Sequence, residues 1–385
     1  MVDEMIAQEL TFNGSSEQFS TLAEFEEQLK SAVESGNLEP FWNAVVATGQ
    51  MPLIFGDRLA VFLYRGRGGS VNWKGGFTIP YERQGQTDLW VLRREFEPDA
   101  RLDYRIEIDG WDTFLDPLNP LVQPGGFGVN SAMRMPGYVF PEFSLPRQDI
   151  QHGALSPNRW FWSGNLGYDV NYRVYTPAGY EQKKHLPVLY AVDGQDYANP
   201  DFGAMVNTLD NLIADKKIRP IMAVFINPSD PITGENRRWR EMVSDSPEEC
   251  RFCKYLTEEL VPKIDAEFKT DATPGGRAII GFSLGGHFTS KIGLLYSDVF
   301  HLIGIQAPYF LGHEWIPEQY ERAERLPIKV FLSHGVYDAG ADSLRLRDLL
   351  LKKDYPVLYV ETHDGHSWGN IRGVLDQLLI YFFGS

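Results

Sequence analysis

The sequence predicts a two-part chain: a C-terminal α/β domain, with a mostly parallel sheet and helices on both faces, preceded by an all-β sandwich. Three observations carry that reading. From Trp160 onward, short and nearly continuous apolar runs, "LPVLYAVDG", "IMAVFIN", "RAIIGFS", "LIGIQA" and "IKVFLSHG", alternate with helix-like stretches, as parallel strands buried on both faces do. Between Leu53 and Ile108 the runs are shorter, "LAVFLYRG", "GGFTIPY", "DLWVLRREF" and "LDYRIEID", and are punctuated by Gly, Asp and Pro, the texture of a small sandwich. A chain of 385 residues also exceeds what one hydrophobic core fills, so a second domain is expected.

Each segment follows from its own pattern. Over residues 1–48 the spacing of Leu22, Phe25, Leu29 and Val33, ended by Gly36-Asn37, predicts a helical arm. Residues 49–112 form the sandwich. Residues 113–155 hold Pro117, Pro120, Pro124 and Pro136 among several glycines, so an irregular linker is expected there. Residues 156–385 make the α/β domain, in which "DVNYRVYTP" alternates like an edge strand and Glu248–Phe268 and His287–Leu295 read as helices.

Composition narrows the functions. Hydrophobic residues at 43% and charged residues at 23% are those of a globular chain. A net charge of −16 repels polyanions and anionic membranes, which argues against nucleic acid or a membrane as partner. "MVDEMIAQELTFNG" has neither a basic nor an apolar leader region, and no run of about 20 apolar residues follows. A cytoplasmic protein is expected, although a trimmed secretory signal would leave the same sequence; a homo-oligomer is compatible with it. Cys250 and Cys253 form C-x-x-C near the start of a helix. With no further ligands at zinc spacing and no thioredoxin-like context, they read as structural, and no metal or cofactor is expected.

The chemistry centres on "AIIGFSLGGH". Gly281-Phe-Ser-Leu-Gly285 fits G-x-S-x-G, a pattern that gains meaning only between a strand and a helix. "RAII" before it and "GGHFTSKIGLLY" after it supply that context, so Ser283 is the candidate nucleophile. A hydroxyl needs a base, and the base an orienting acid. Asp338 follows the strand "IKVFLSHG", with Asp342 in reserve as the acid or as a helix cap. After the last strand come His363 and His366; His366, between Gly365 and Ser367-Trp368, is the better base. The order Ser, Asp, His is that of α/β-hydrolases. An oxyanion hole calls for the amide of Leu284 and a second from Gly194 or Gln195, after the strand "PVLYAVDG".

"VLYAVDG", "NRRWREM", "GFSLGG", "HGVYD" and "GHSW" with Arg372 resemble the enterochelin esterase and esterase-D-like branch of the α/β-hydrolases. That branch also holds feruloyl and acetyl-xylan esterases of carbohydrate esterase family one and the mycolyltransferases. More weakly, "FLYRG", "GGFTIPY" and "DPLNP" are similar to the immunoglobulin-like early-set sandwich that precedes the enterochelin esterase domain. The resemblance implies a metal-independent serine esterase acting on a siderophore trilactone or on an acylated carbohydrate. It matches the family's R-x-x-E to Arg238-Trp-Arg-Glu241. Arg238 then either clamps an anionic substrate group or locks its loop through Glu241; with Trp368, these two are the candidate substrate-binding residues. Arg237, Arg238 and Arg240 would have to offset the overall negative charge if the substrate were a ferric catecholate. Trp73, Trp90 and Trp111 are candidates for stacking on sugar rings if the sandwich binds glycans. A non-catalytic binding protein on the same fold is the reading from another class.

Overall fold

The computed structural model describes residues 18–126, 128–230, 232–243, 250–310, 315–338 and 341–384, the side chains of residues 341 and 342 excepted. The chain divides into two units. The first is Met1–Phe140 with Val336–Ala339 and Thr362–Asn370; the second is Pro141–Gly335 with Gly340–Glu361 and Ile371–Ser385.

The first unit opens with the helix Leu22–Ser35. It is capped by Thr21, whose Oγ1 accepts from the Glu24 amide at 3.1 Å, and ended by Gly36 at φ 72°. A second helix, Glu39–Ala47, follows with a proline in its first turn. These helices are not a free arm. Phe19, Phe25, Leu29, Leu38, Phe41 and Val45 share one buried core with the strand residues Leu53, Phe62, Trp73, Val91, Leu102 and Tyr104. The helical stripe is apolar because it covers a sheet core, and Arg93 fixes it from outside by pairing with Glu26 at 2.7 Å.

Among the described residues, ten strands follow in this unit: β1 (Leu53–Phe55), β2 (Leu59–Arg65), β3 (Val71–Lys74), β4 (Thr78–Pro80), β5 (Glu82–Arg83), β6 (Leu89–Glu95), β7 (Arg101–Ile108), β8 (Asp112–Phe114), β9 (Val122–Gly125) and β10 (Gly128–Arg134). They form two antiparallel sheets, one ordered β1-β2-β6-β5 and the other β4-β3-β7-β10-β9 with β8 on β7. The expected linker over 113–155 is therefore corrected, since β8, β9 and β10 lie within it and the sheets continue past residue 112. The prolines misled because Pro124 sits on β9, the sheet's outermost strand, where a missing amide leaves no gap in a ladder. Trp73 and Trp90 are 0% and 5% exposed, so they are core residues rather than sugar platforms; Trp111 is 88% exposed.

The second unit carries the α/β architecture. Its strands are β11 (Ala154–Leu155), β12 (Arg159–Ser163), β13 (Tyr168–Thr176), β14 (Val188–Val192), β15 (Met222–Asn227), β16 (Arg277–Phe282), β17 (Leu302–Gln306), β18 (Lys329–Gly335) and β19 (Val357–Thr362). They are ordered β11-β13-β15-β14-β16-β17-β18-β19, with β12 also on β13. The pairs from β15 through β18 are parallel, and these strands are the apolar runs of the sequence. β13, read as an edge strand, is interior: it lies antiparallel to β15 and is covered on its other side by β11 and β12. Its residues are buried or half-buried along the whole strand.

Helical structure from Arg251 to Glu267 includes a π-helical segment, Tyr255–Leu260; the expected start at Glu248 lies outside the described residues. Cys250 and Cys253 are joined as a disulfide inside the core. Among the described residues no helix is long and apolar enough to cross a membrane.

Candidate active site

The strand order turns at β14, which has β15 on one side and β16 on the other. Chain connections leave in opposite directions there, the place where α/β sheets generally bind their ligands. Two sharp turns sit at that point. After β16, Ser283 adopts φ 61° and ψ −115° and starts the helix Leu284–Leu295. A side chain pays for such a backbone in strain, about 1–3 kcal/mol, and holds it only where its neighbours enforce it. They do so here: the Ser283 amide donates to the Gln306 carbonyl at 3.0 Å, and its carbonyl accepts from the amides of His287 at 2.9 Å and Tyr309 at 3.2 Å.

The flanking glycines follow from close approach. A Cβ at Gly281 would meet the Gly285 backbone and lie 2.7 Å from Val192 Cγ2, and one at Gly286 would lie 2.8 Å from the Gln306 carbonyl. Strand and helix touch where side chains would stand, which lifts the serine onto the tip of the turn.

After β14, Asp193 takes the left-handed conformation (φ 57°, ψ 38°) and begins the short helix Gly194–Ala198. A Cβ at Gly194 would run into the backbone of Phe225 and Ile226 on β15, so this turn is pinned against its neighbouring strand. Gly194, Gln195 and Leu284 all stand in first turns of helices, where amides have no carbonyl of their own helix to bond. That is the donor chemistry an oxyanion requires.

Arg238 staples the two turns together. Its Nε donates to both carboxylate oxygens of Asp193, at 2.8 and 2.9 Å, and its Nη2 to the Phe282 carbonyl at 3.0 Å. The expected lock through Glu241 is thus corrected: the carboxylate that Arg238 engages is that of Asp193. Glu241 is buried, accepts from the Tyr168 hydroxyl at 2.8 Å, and burial pushes its carboxyl up to about 7. Burial likewise raises Asp193, against the pull of Arg238, and lifts Asp196 to about 6 with help from the Asp193 charge. Arg237 is spent on Asp230 and on the Asp169 carbonyl, and both Arg237 and Arg240 lie over the Tyr168 ring.

The other predicted pair lies in the first unit. His366 Nδ1 is 2.6 Å from Asp338 Oδ2. A carboxylate accepts, so Nδ1 carries the proton and Nε2 becomes the basic nitrogen, the tautomer a general base needs. Asp338 is 11% exposed and His366 35%. Asp338 follows Tyr337, whose amide donates to the Asp364 carbonyl at 3.1 Å and whose hydroxyl accepts from the Glu97 amide at 3.1 Å. His363 is paired elsewhere, 2.6 Å from Asp99 on the surface. Trp368 is 6% exposed. The reserve acid Asp342 is in the first turn of the helix Ala341–Lys352, with its side chain outside the described residues.

The structure thus brings Asp338 to His366 in one unit, and Ser283 beside the Gly194 turn in the other. Sequence reasoning missed Asp193, whose signal was an Asp-Gly directly after a buried strand, and Arg101, discussed below. The cavity lined by Gly275, His301, Arg325, Lys329 and Pro356 opens at the opposite, starting ends of β16 to β18 and contains none of these groups.

The mostly parallel sheet, its turning strand order at β14 and the strained serine elbow after β16 are those of an α/β-hydrolase. Residues 163–333 match the family described as Putative esterase, and this part of the chain belongs to that family. Among curated proteins, it is 30% identical over 272 residues to an endo-1,4-beta-xylanase/feruloyl esterase of Xylanibacter ruminicola, covering 68% of this chain and 35% of that one. It is 28% identical over 166 residues to the uncharacterized protein YjcH of Bacillus subtilis, covering 42% and 65%. The chain therefore spans only part of both relatives. Among solved structures, the enterobactin esterase of Shigella flexneri superposes with TM-score 0.68 at 19% identity, over 86% of this chain and 94% of that one. A ferulic acid esterase of Anaeromyces mucronatus in complex with ferulic acid gives 0.52 at 18%, over 62% and 94%. At these identities the structures establish the fold.

Proposed function

We propose that the protein is a serine carboxylic-ester hydrolase that works through Ser283, His366 and Asp338 and an acyl-enzyme. Ser283 Oγ attacks the ester carbonyl carbon while His366 Nε2 takes its proton. The tetrahedral oxyanion is held by the amides of Leu284 and of Gly194 or Gln195. Its collapse breaks the bond to the alcohol, which leaves with the proton from His366. Water, activated by the same nitrogen, then releases the acid and restores Ser283. Asp338 keeps the imidazole in the required tautomer throughout. No metal or cofactor enters any of these steps.

The observation that carries this reading is the elbow itself, a non-glycine residue held at φ 61° among glycines that leave no room for side chains. Family membership and the names of the relatives support ester hydrolysis independently. Labelling with a fluorophosphonate probe tests it: wild type should label, and Ser283→Ala should not. A folded wild-type protein that resists the probe would favour the non-catalytic reading.

Two substrate classes divide the support. A siderophore trilactone is favoured by the match to an enterobactin esterase over 86% of this chain, both units included. An acyl-carbohydrate ester, feruloyl or acetyl, is favoured by the 30% identical relative named as a feruloyl esterase and by the electrostatics. The chain carries −16, and Arg237 and Arg238 pair with Asp230 and Asp193, which reduces the attraction these two arginines offer a ferric catecholate. We read the two antiparallel sheets around one core as the early-set sandwich of such two-domain esterases. Comparing ferric and apo catechol trilactones, methyl ferulate, acetylated xylan and p-nitrophenyl esters decides the class. A hundredfold preference in kcat/KM corresponds to about 2.7 kcal/mol at the transition state.

A further inference from the structure

Around His366, the residues on either side are fixed by hydrogen bonds that lead to one buried arginine of β7. Asp364 Oδ1 accepts from the Gly365 amide at 2.6 Å and from Ser367 Oγ at 3.1 Å. Ser367 Oγ in turn accepts from Arg101 Nη1 at 2.8 Å and from the Asn370 amide at 3.1 Å. Asn370 Nδ2 donates to the Gly365 carbonyl at 2.9 Å. Behind them, Arg101 Nη2 donates to Asp103 Oδ1 at 2.6 Å and Gln123 Oε1 at 3.2 Å, and the Arg101 amide donates to the His363 carbonyl at 3.0 Å. Arg101 is 1% exposed.

One glycine records how closely this is built. A Cβ at Gly369, in the first turn of the helix Trp368–Gly373, would overlap the Arg101 guanidinium and lie 2.6 Å from its Nε. The helix start lies on the guanidinium, with no space between.

We propose that Arg101 is a positioning residue for His366, so that the N-terminal sheets form part of the support of the catalytic loop. The proposal rests on the reading of His366 as general base. Its physical basis is direction. A buried ion pair is weak evidence of stabilisation, because apolar packing often does as well. A guanidinium, however, presents several donors in a rigid plane. Here that plane meets Ser367, Asp103 and Gln123 together, which restrains the His366 loop in angle as well as in distance. A drift of about 1 Å in a catalytic group can cost roughly a hundredfold in rate.

The test measures p-nitrophenyl ester hydrolysis, fluorophosphonate labelling and thermal unfolding on the full chain carrying Arg101→Met, Arg101→Lys, Gly369→Ala or His366→Ala. Expected for Arg101→Met is a fall in kcat of about a hundredfold with KM within about threefold, a matching fall in labelling rate, and cooperative unfolding. Arg101→Lys should recover part of kcat. Gly369→Ala, which keeps the arginine but displaces it, should fall in the same direction as Arg101→Met. Folded variants that all keep kcat within about threefold of wild type, beside an inactive His366→Ala, overturn the positioning role alone. A fully active His366→Ala overturns the base assignment and this inference with it. Where Arg101→Met does not fold, Arg101→Lys and Gly369→Ala are read in its place by the same criterion.

Discussion

The serine elbow and the Asp338–His366 pair are built by opposite means. At the elbow the motif is local, with Gly281, Ser283, Gly285 and Gly286 inside six residues, and the turn is held by backbone hydrogen bonds to Gln306, His287 and Tyr309. The Asp–His pair is the reverse. Tyr337 rests against Phe77 and Phe96, and the His366 loop is tied to Arg101 across 263 positions of sequence. A short motif therefore suffices for the elbow, whereas the Asp338–His366 pair draws on contacts far apart in the sequence of the first unit.

Substitutions can break that contrast. The largest effect should come at the elbow: Ser283→Ala should lower kcat on the order of 10⁶-fold with the fold intact, measured by ester turnover beside circular dichroism. Asp338→Asn keeps the shape but favours the wrong tautomer, and a fall of about 10⁴-fold in kcat is expected. Activity near wild type there would detach the pair from catalysis. Next, Phe25→Ala opens the core under the first unit's sheets and should cost about 3–5 kcal/mol in denaturant unfolding. A cost under 1 kcal/mol would mean that the N-terminal helices do not support this unit.

A pH experiment sharpens the electrostatic side. Glu241, at about 7, holds its proton in the folded state well above the ordinary carboxylate value of 4.5. Between those values the folded state binds more protons than the unfolded, so this group's contribution to stability falls as pH rises through the window. Glu241→Gln stays neutral and can still accept from Tyr168. Its melting temperature relative to wild type should rise between pH 5 and pH 8, and a flat difference would refute the buried, protonated carboxyl. The smallest effect should come from His363→Ala, which removes only a surface pair with Asp99 and should change kcat less than threefold.

Much of this was legible in the sequence, for reasons particular to each element. The parallel strands could be read because β14 to β18 are apolar on both faces, and Ser283 because its glycines are packing necessities with no alternative residue. Asp338 and His366 could be placed by their positions after β18 and β19. The strands β8 to β10 could not, because proline on an outer strand looks the same as proline in a loop. Trp73 and Trp90 resembled a binding face, since sequence does not tell a buried indole from a presented one. Arg101 was the least legible. With Asp103, Arg105 and Glu107 it makes one charged face of β7, which reads as solvated, and only the fold shows that its first member is sealed under the His366 loop.

The return of the chain to its first unit at Thr362–Asn370 also sets an order of events during biosynthesis. A ribosome makes Arg101, with its partners Asp103 and Gln123, long before Asp364 and Ser367, so the early part of the nascent protein holds only part of this network. Ser283 too emerges before its proposed base. Under the proposed mechanism, Ser283 gains its general base only once the His366 loop has been made.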